Sequence, residues 1–193
     1  ILSLRGKVLN TQTPNVREAM VNQEIATITH ASGAGIGHDF SVEESRYGKI
    51  VIMTDADHDG SHIQILLVTL FTRFFRSLID TGRLYIALPP LYAVRNLTKK
   101  ETHYAWTENE RNQITSKIPD SDKLEITRFK GLGEMNKEEL WETTMNPENR
   151  KLLQVQVYDE VATSKVFDIL MGDDPSVRKD WIEENVDFVS VEE

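Results

Sequence analysis

Apolar positions along this chain fall at two spacings, and each change of spacing marks a predicted element. Residues 3–9 carry strand-like apolar positions. Pro14 then opens a predicted helix whose apolar positions Val16, Met20 and Ile25 run on to a stop near Gly33. Gly33, Gly35 and Gly37 make a turn-rich connection, because the order of strand, GxGxxG and helix that a dinucleotide site needs is absent. The β-branched run 49–54 predicts a strand, and 61–80 predicts a helix that begins near His62 with Ser61 as its cap. Gly82 introduces the apolar strand 84–88, and the order strand, helix, strand implies a parallel pair.

Pro89 and Pro90 end that strand, and Tyr92 to Arg95 resumes an extended path before a polar segment, 96–101. Residues 103–106 predict a strand, Thr107 with Glu110 a capping box for a helix to about Ile118, and Pro119 its stop. Residues 123–128 alternate as a strand does. Asn136 caps a predicted helix carrying Leu140 and Trp141, and Pro147 opens another that includes Leu152 and Leu153. A last helix spans 177–184 with Trp181 and Ile182 as buried anchors, Trp141, Met145 and Trp181 pack the tail, and the final Val-Glu-rich residues fray. The fold class is α/β: a domain over residues 1–95 with a mostly parallel sheet flanked by helices, and an appended α+β tail over 96–193.

Composition narrows the chemistry. At 193 residues with 39% hydrophobic content the chain holds one substantial core, with or without a smaller layer. The absence of cysteine removes disulfides, thiolate metal sites and cysteine nucleophiles, and fits a reducing, cytoplasmic compartment. The longest apolar stretch, 63–79, is interrupted by Gln64, Arg73 and Arg76, so no membrane span is expected. With 31 acidic and 22 basic residues the net charge is −9, the wrong sign for a surface that attracts DNA everywhere. Any nucleic-acid contact must be local, at basic pairs such as Arg5/Lys7, Arg128/Lys130 or Arg178/Lys179. The chain opens at Ile1 with apolar residues already under way, so it is expected to be a piece of a longer protein whose earlier part completes the site.

The strongest chemical signal is IVIMTDADHDGSHI, 50–63. On an extended chain residues two apart share a side, so Asp55 and Asp57 emerge together at the strand end, and Asp59 joins them if the extension lasts. Gly60 permits a sharp turn. Clustered carboxylates need a cation, and oxygen ligands with room for water and phosphate suit Mg2+. The spacing also matches the start of a calcium loop, but the closing position is Leu66 and the preceding element is a strand. A purely structural acidic turn remains open on these residues alone.

Four collinear blocks settle more: LSLRGKVLN (2–10), IVIMTDADHDGSHI (50–63), ALPPLYAV (87–94), and RFKGLGEMN with LWETTMNP (128–147). Together they resemble the TOPRIM domain and carboxyl-terminal tail of the B subunits of bacterial type IIA topoisomerases, the group containing DNA gyrase and topoisomerase IV. The resemblance implies a Rossmann-like TOPRIM fold that binds Mg2+, with Mn2+ or Ca2+ as substitutes. It also implies a heterotetramer with an A subunit whose tyrosine cleaves and rejoins double-stranded DNA. Asp55 and Asp57 become the catalytic metal ligands with Asp59 beside them, and a further family Glu is expected upstream of the LRGK block. Glu24 and Glu43 lack that motif's context. Arg5, Lys7, Asn10, His62, Arg128, Lys130 and Arg178 become candidate DNA contacts; a helix-end role for His62 stays open. Arg5 and Glu24 fall in the neighbourhood where quinolone-type drugs stack. ATP is expected to bind outside these residues, and Tyr47, Tyr85, Tyr92, Tyr104 and Tyr158 are expected to be packing residues. ALPPLY and the ending WIEENVDF look more like the topoisomerase IV side, whose work is relaxation, decatenation and chromosome segregation in the bacterial cytoplasm. The alternatives are a gyrase fragment that serves negative supercoiling, a TOPRIM primase or nuclease, and a non-catalytic docking module.

Overall fold

The computed structural model describes residues 1–185, so the expected fraying of the terminal residues, and the end of the WIEENVDF block, lie outside it. Two compact units interleave along the chain: one takes Ile1–Gly48, Leu66–Gly82 and the chain from Gln156 onward, the other Lys49–Ile65 and Arg83–Val155.

The first unit opens without the expected strand at 3–9. Gly6 lies at φ 99°, in the left-handed region that ends an extended run, and Val8 alone among these residues is buried. The expected single helix over 14–33 is two helices, α1 (Val16–Ala19) and α2 (Gln23–Ser32). Each has its own asparagine cap: Asn15 forms a reciprocal capping box with Glu18, and Asn22 accepts the Ile25 N–H. Gly33 ends α2 at φ 70°, as expected.

Helix α3 (His58–Phe74) begins three residues before Ser61 and stops short of the expected end, with α4 (Arg76–Asp80) following. The break falls at Phe75, whose backbone leaves the helical region at φ −135°, ψ 34°. Its ring is fully buried, edge-on to Phe40 at 5.1 Å and tilted on Phe71 at 5.4 Å. Burial of an aromatic ring outweighs one turn of helix propensity. Helices α7 (Glu160–Met171) and α8 (Pro175–Asn185) complete this unit. Helix α7 escaped the pattern because Val161 and Val166 face solvent, at 81% and 43% exposure. Trp181 is half-buried, but Ile182 is exposed and anchors nothing.

The second unit contains two three-stranded sheets. In the first, β1 (Ile50–Ile52) pairs parallel with β2 (Leu84–Leu88), as the strand–helix–strand order requires, in the register Ile50 opposite Leu84. The other edge of β2 takes β6 (Lys151–Gln154) antiparallel, Leu88 opposite Lys151. Residues 151–154 are therefore a strand, not the helix expected after Pro147. Their exposed and half-buried side chains alternate, and their backbone bonds complete the open edge of β2. In the second sheet β3 (Tyr92–Asn96) is central, antiparallel to β4 (Glu101–Ala105) and to β5 (Leu124–Arg128). Thr107 caps α5 (Glu108–Thr115), which ends before Ile118, and Asn136 caps α6 (Lys137–Leu140) in a box with Glu139. A π-helical turn, Trp141–Met145, follows and leaves Trp141 57% exposed rather than packed.

Thr11 is fully buried in the first unit, and its hydroxyl has no hydrogen-bond partner among the described residues. Thr11→Val keeps the branched shape and removes the unsatisfied group. We expect it to stabilise the fold by about 1 kcal/mol, read as a rise in thermal midpoint.

Candidate metal centre

Strand β1 delivers the chain through Met53 and Thr54 to Asp55, and Asp57 starts α3. The Asp57 Oδ1 accepts the Gly60 N–H at 2.7 Å, and its carbonyl accepts the Ser61 N–H at 3.0 Å. Asp57 is therefore the helix cap. Ser61, expected in that role, sits one turn in and donates its hydroxyl to the Asp57 carbonyl at 2.9 Å. Gly60 is helical rather than a turn. It is glycine because a Cβ would stand 2.1 Å from the Asp55 carbonyl oxygen.

The second wall comes from 77 residues further on, where the Leu132 N–H donates to Asp55 Oδ1 at 2.7 Å. A Cβ on Gly131 would lie 2.8 Å from the Asp55 carboxyl carbon. A side chain at 131 would push the Asp55 carboxylate out of this position. The loop is curled by its own bonds, Lys130 N–H to Glu134 Oε2 at 2.7 Å and Glu134 N–H to the Gly131 carbonyl at 3.2 Å. These backbone donors engage Oδ1 of Asp55 and Oδ1 of Asp57, so each carboxylate retains its other oxygen for a further ligand. The donors are hard oxygens held by backbone amides, and both side chains are exposed. No group of three His, Asp or Glu side chains that could hold a metal forms among the described residues. Exposed carboxylates open to water suit Mg2+, which keeps several waters, better than Ca2+, which takes six to eight oxygens.

Asp59 lies in the first turn of α3, so the extended geometry that would align it with Asp55 and Asp57 has already ended. His62 is exposed on the same helix, one turn after His58. Arg128, the last residue of β5, and Lys130 are both exposed on either side of buried Phe129. In the other unit the Arg5 N–H reaches Glu24 Oε1 at 3.4 Å, and Lys7 is exposed. Asn10 and Arg178, expected from sequence to be DNA contacts, hold protein carbonyls instead: Asn10 Nδ2 donates to Met171 at 2.7 Å, and Arg178 to Leu170 and Gly172 at 2.7 and 2.8 Å.

A family model described as the Toprim domain matches residues 1–89, and one described as the carboxyl terminus of the DNA gyrase B subunit matches 121–183. The B subunit of DNA topoisomerase 4 from Staphylococcus aureus strain MW2 is 50% identical over 191 residues, covering 97% of this chain. The same-named protein of Staphylococcus epidermidis is 50% identical over 190 residues, again covering 97% of the chain. The chain belongs to the type IIA topoisomerase B-subunit family. It spans 28% of the length of these relatives.

In this B-subunit chain the loop over Asp55 rests on a small core. Phe129 is buried with Ala93 and Met135, with Tyr104 and Leu140 packed against them, and the Phe129 N–H bonds to the Leu91 carbonyl at 2.9 Å. Behind it Arg95 donates to Glu139 at 2.6 Å and to Thr127 at 2.9 Å, and the Glu139 hydrogen bond raises the arginine above its ordinary value. Burial, then the charges of Glu142 and Glu139, push the Tyr104 phenol up to about 12. Sequence reasoning missed the Leu132 amide and Glu134, since a backbone donor leaves no side-chain signature; the paired glycines were the available signal.

Two outcomes follow from this geometry. Asp55→Ala removes the acceptor for Leu132, and its amide should exchange with solvent about tenfold faster, the loss of one charge-assisted bond. Tyr104 holds its proton longer in the folded than in the unfolded state. Its stabilising contribution is thus complete below pH about 10 and declines as pH rises toward about 12. Alkaline absorbance titration should show a late-titrating tyrosine that Tyr104→Phe removes.

Proposed function

We propose that this chain supplies the Mg2+-binding carboxylates and part of the DNA grip for double-strand cleavage and religation by an A-subunit tyrosine. The observation that carries the reading is the Asp55–Asp57 pair, each fixed through one oxygen by a backbone N–H, with the second oxygen left for a ligand. Mg2+ bound there would polarise the scissile phosphate and stabilise charge on the leaving oxygen. Asp55 and Asp57 hold their orientation before DNA arrives, so little reorganisation accompanies the reaction. Arg128 and Lys130 contribute phosphate contacts from the loop that braces Asp55, and Arg5 and Lys7 are separate candidates for phosphate contact. Asp59 serves as a nearby or alternative ligand, and His62 faces solvent as a candidate phosphate donor.

The whole assembly is the heterotetramer of B and A subunits acting on double-stranded DNA in the bacterial cytoplasm, with ATP bound elsewhere in the B subunit. Among the described residues no helix is long and apolar enough to cross a membrane. Kinship with the staphylococcal topoisomerase 4 proteins favours relaxation and decatenation in chromosome segregation over supercoiling by gyrase. By the family resemblance Arg5 and Glu24, joined through the Arg5 N–H, fall in the proposed quinolone neighbourhood.

The test is Mg2+-dependent relaxation by the intact B subunit mixed with its A subunit. Asp57→Asn is the informative variant, since asparagine still caps α3 while the anionic ligand is lost. Activity should fall on the order of a hundredfold or more with the fold intact. Undiminished relaxation would refute the metal role, and DNA cutting without an A subunit would move the chain to the nuclease class. Lys7→Glu should weaken DNA binding and flatten its salt dependence.

A further inference from the structure

In the first unit, residues 10–13 are strapped to the end of α7 by contacts that span most of the chain. Asn10 Nδ2 donates to the Met171 carbonyl at 2.7 Å, Gln12 Nε2 to Asp168 Oδ1 at 2.7 Å, and the Thr13 hydroxyl to Asp173 Oδ1 at 3.2 Å. Within the strap the Gln12 N–H bonds back to Asn10 Oδ1 at 3.1 Å, and the Arg73 guanidinium holds the Gln12 carbonyl. Thr11 is fully buried and Gln12 nearly so.

The helix end is equally fixed. Three successive carbonyls at the end of α7 accept side-chain donors: Leu170 and Gly172 from Arg178 of α8, and Met171 from Asn10. These are the groups a helix leaves without internal partners. The strap and α8 therefore cap α7 jointly, and α7 in turn fixes the strap. Three residues before Asn10 stands Lys7, with Arg5 two further back and only Gly6 and Val8 to Leu9 intervening. The Arg5 N–H to Glu24 Oε1 bond at 3.4 Å holds the basic segment on one side and the anchoring of residues 8–13 holds it on the other, with Gly6 at φ 99° setting the turn between Arg5 and Lys7.

We propose that the α7–α8 pair is a positioning clamp for the Arg5–Lys7 DNA-contact segment, with Asp168 as a positioning residue that acts on DNA through Gln12 without touching it. The inference rests on the proposed DNA-binding role of that segment. It makes a prediction opposite in sign to simple electrostatics. Removing an acidic residue from a chain of net charge −9 should strengthen DNA binding, or leave it alone, if charge were all that mattered. A clamp requires the reverse.

The test uses the intact B subunit with its A subunit and duplex DNA. Asp168→Ala should weaken DNA binding roughly threefold to tenfold, the effect of one lost hydrogen bond. Asp168→Asn, which keeps an Oδ1 acceptor but not the charge, should restore it. Hydrogen exchange over residues 5–10 without DNA should quicken in Asp168→Ala and not in Asp168→Asn. Gln12→Met, which removes the donor from the other side, should reproduce the alanine result and does so even if Asp168→Ala folds poorly. Unchanged or tighter DNA binding in Asp168→Ala overturns the clamp, as does a loss that asparagine fails to rescue. A DNA affinity that ignores Lys7→Glu would sink the function reading itself, a failure visible before Asp168 is changed.

Discussion

One carboxylate oxygen of Asp55, bonded to the backbone of Leu132, is the constraint on which the candidate site depends. A carboxylate at the end of a strand has free rotation and a full hydration shell. Holding it in one orientation requires a donor that does not itself move, and a main-chain N–H in a closed turn is such a donor. The geometry then dictates composition. Gly131 has no Cβ because the carboxylate occupies that space, and Gly60 has none because the Asp55 backbone does. Glu134 closes the turn by accepting the Lys130 amide, and Phe129 roots it in the small core with Ala93 and Met135. A motif that reads as two basic residues among glycines is, in three dimensions, a bracket that holds an acid 77 residues before its Leu132 amide.

The same economy governs Asp57. One oxygen caps α3, which also places the aspartate at the positive end of a helix of 17 residues. The cap takes one oxygen of the side chain and leaves the other, so the structural role and the proposed metal role do not compete. That separation explains why the early start of α3 matters: had Ser61 been the cap, Asp57 would have been left on a mobile approach segment. The cost in the sequence is a helix that begins with His58, Asp59 and Gly60, a poor start by propensity that the cap offsets.

How much of this was legible follows a physical divide. The parallel pair β1–β2, the strands at 92–96 and 124–128, the cap at Asn136 and the stop at Gly33 all arise from local pattern, and local pattern announced them. The misread elements are those decided at a distance. Leu152 and Leu153 look helical after Pro147 but pair with the open edge of β2. Helix α3 looks continuous to Asp80 but breaks where the Phe75 ring is buried against Phe40. Helix α7 was missed because Val161 and Val166 do not point inward. Asp55 and Asp57 were legible as candidate ligands because two carboxylates two residues apart follow a strand. The Leu132 donor was not, since an amide is present at nearly every residue.

Asn10 and Arg178 mark the limit most sharply. Asn10 became a DNA candidate through the resemblance of the LRGK block, and Arg178 through its basic neighbour Lys179. Each instead satisfies carbonyls at the end of α7, where an unpaired backbone acceptor would weaken the helix. With net charge −9, DNA contact must be concentrated locally, and turning Arg178 inward narrows the candidate grip to segments such as 5–7 and 128–130. Residues far along the chain thus act twice: 131–134 orient an acid, and 168–178 anchor the segment that follows Arg5 and Lys7. Substitutions at 131–134 or 168–178 can therefore disturb the orientation of Asp55 or the anchoring of residues 10–13 from far along the chain.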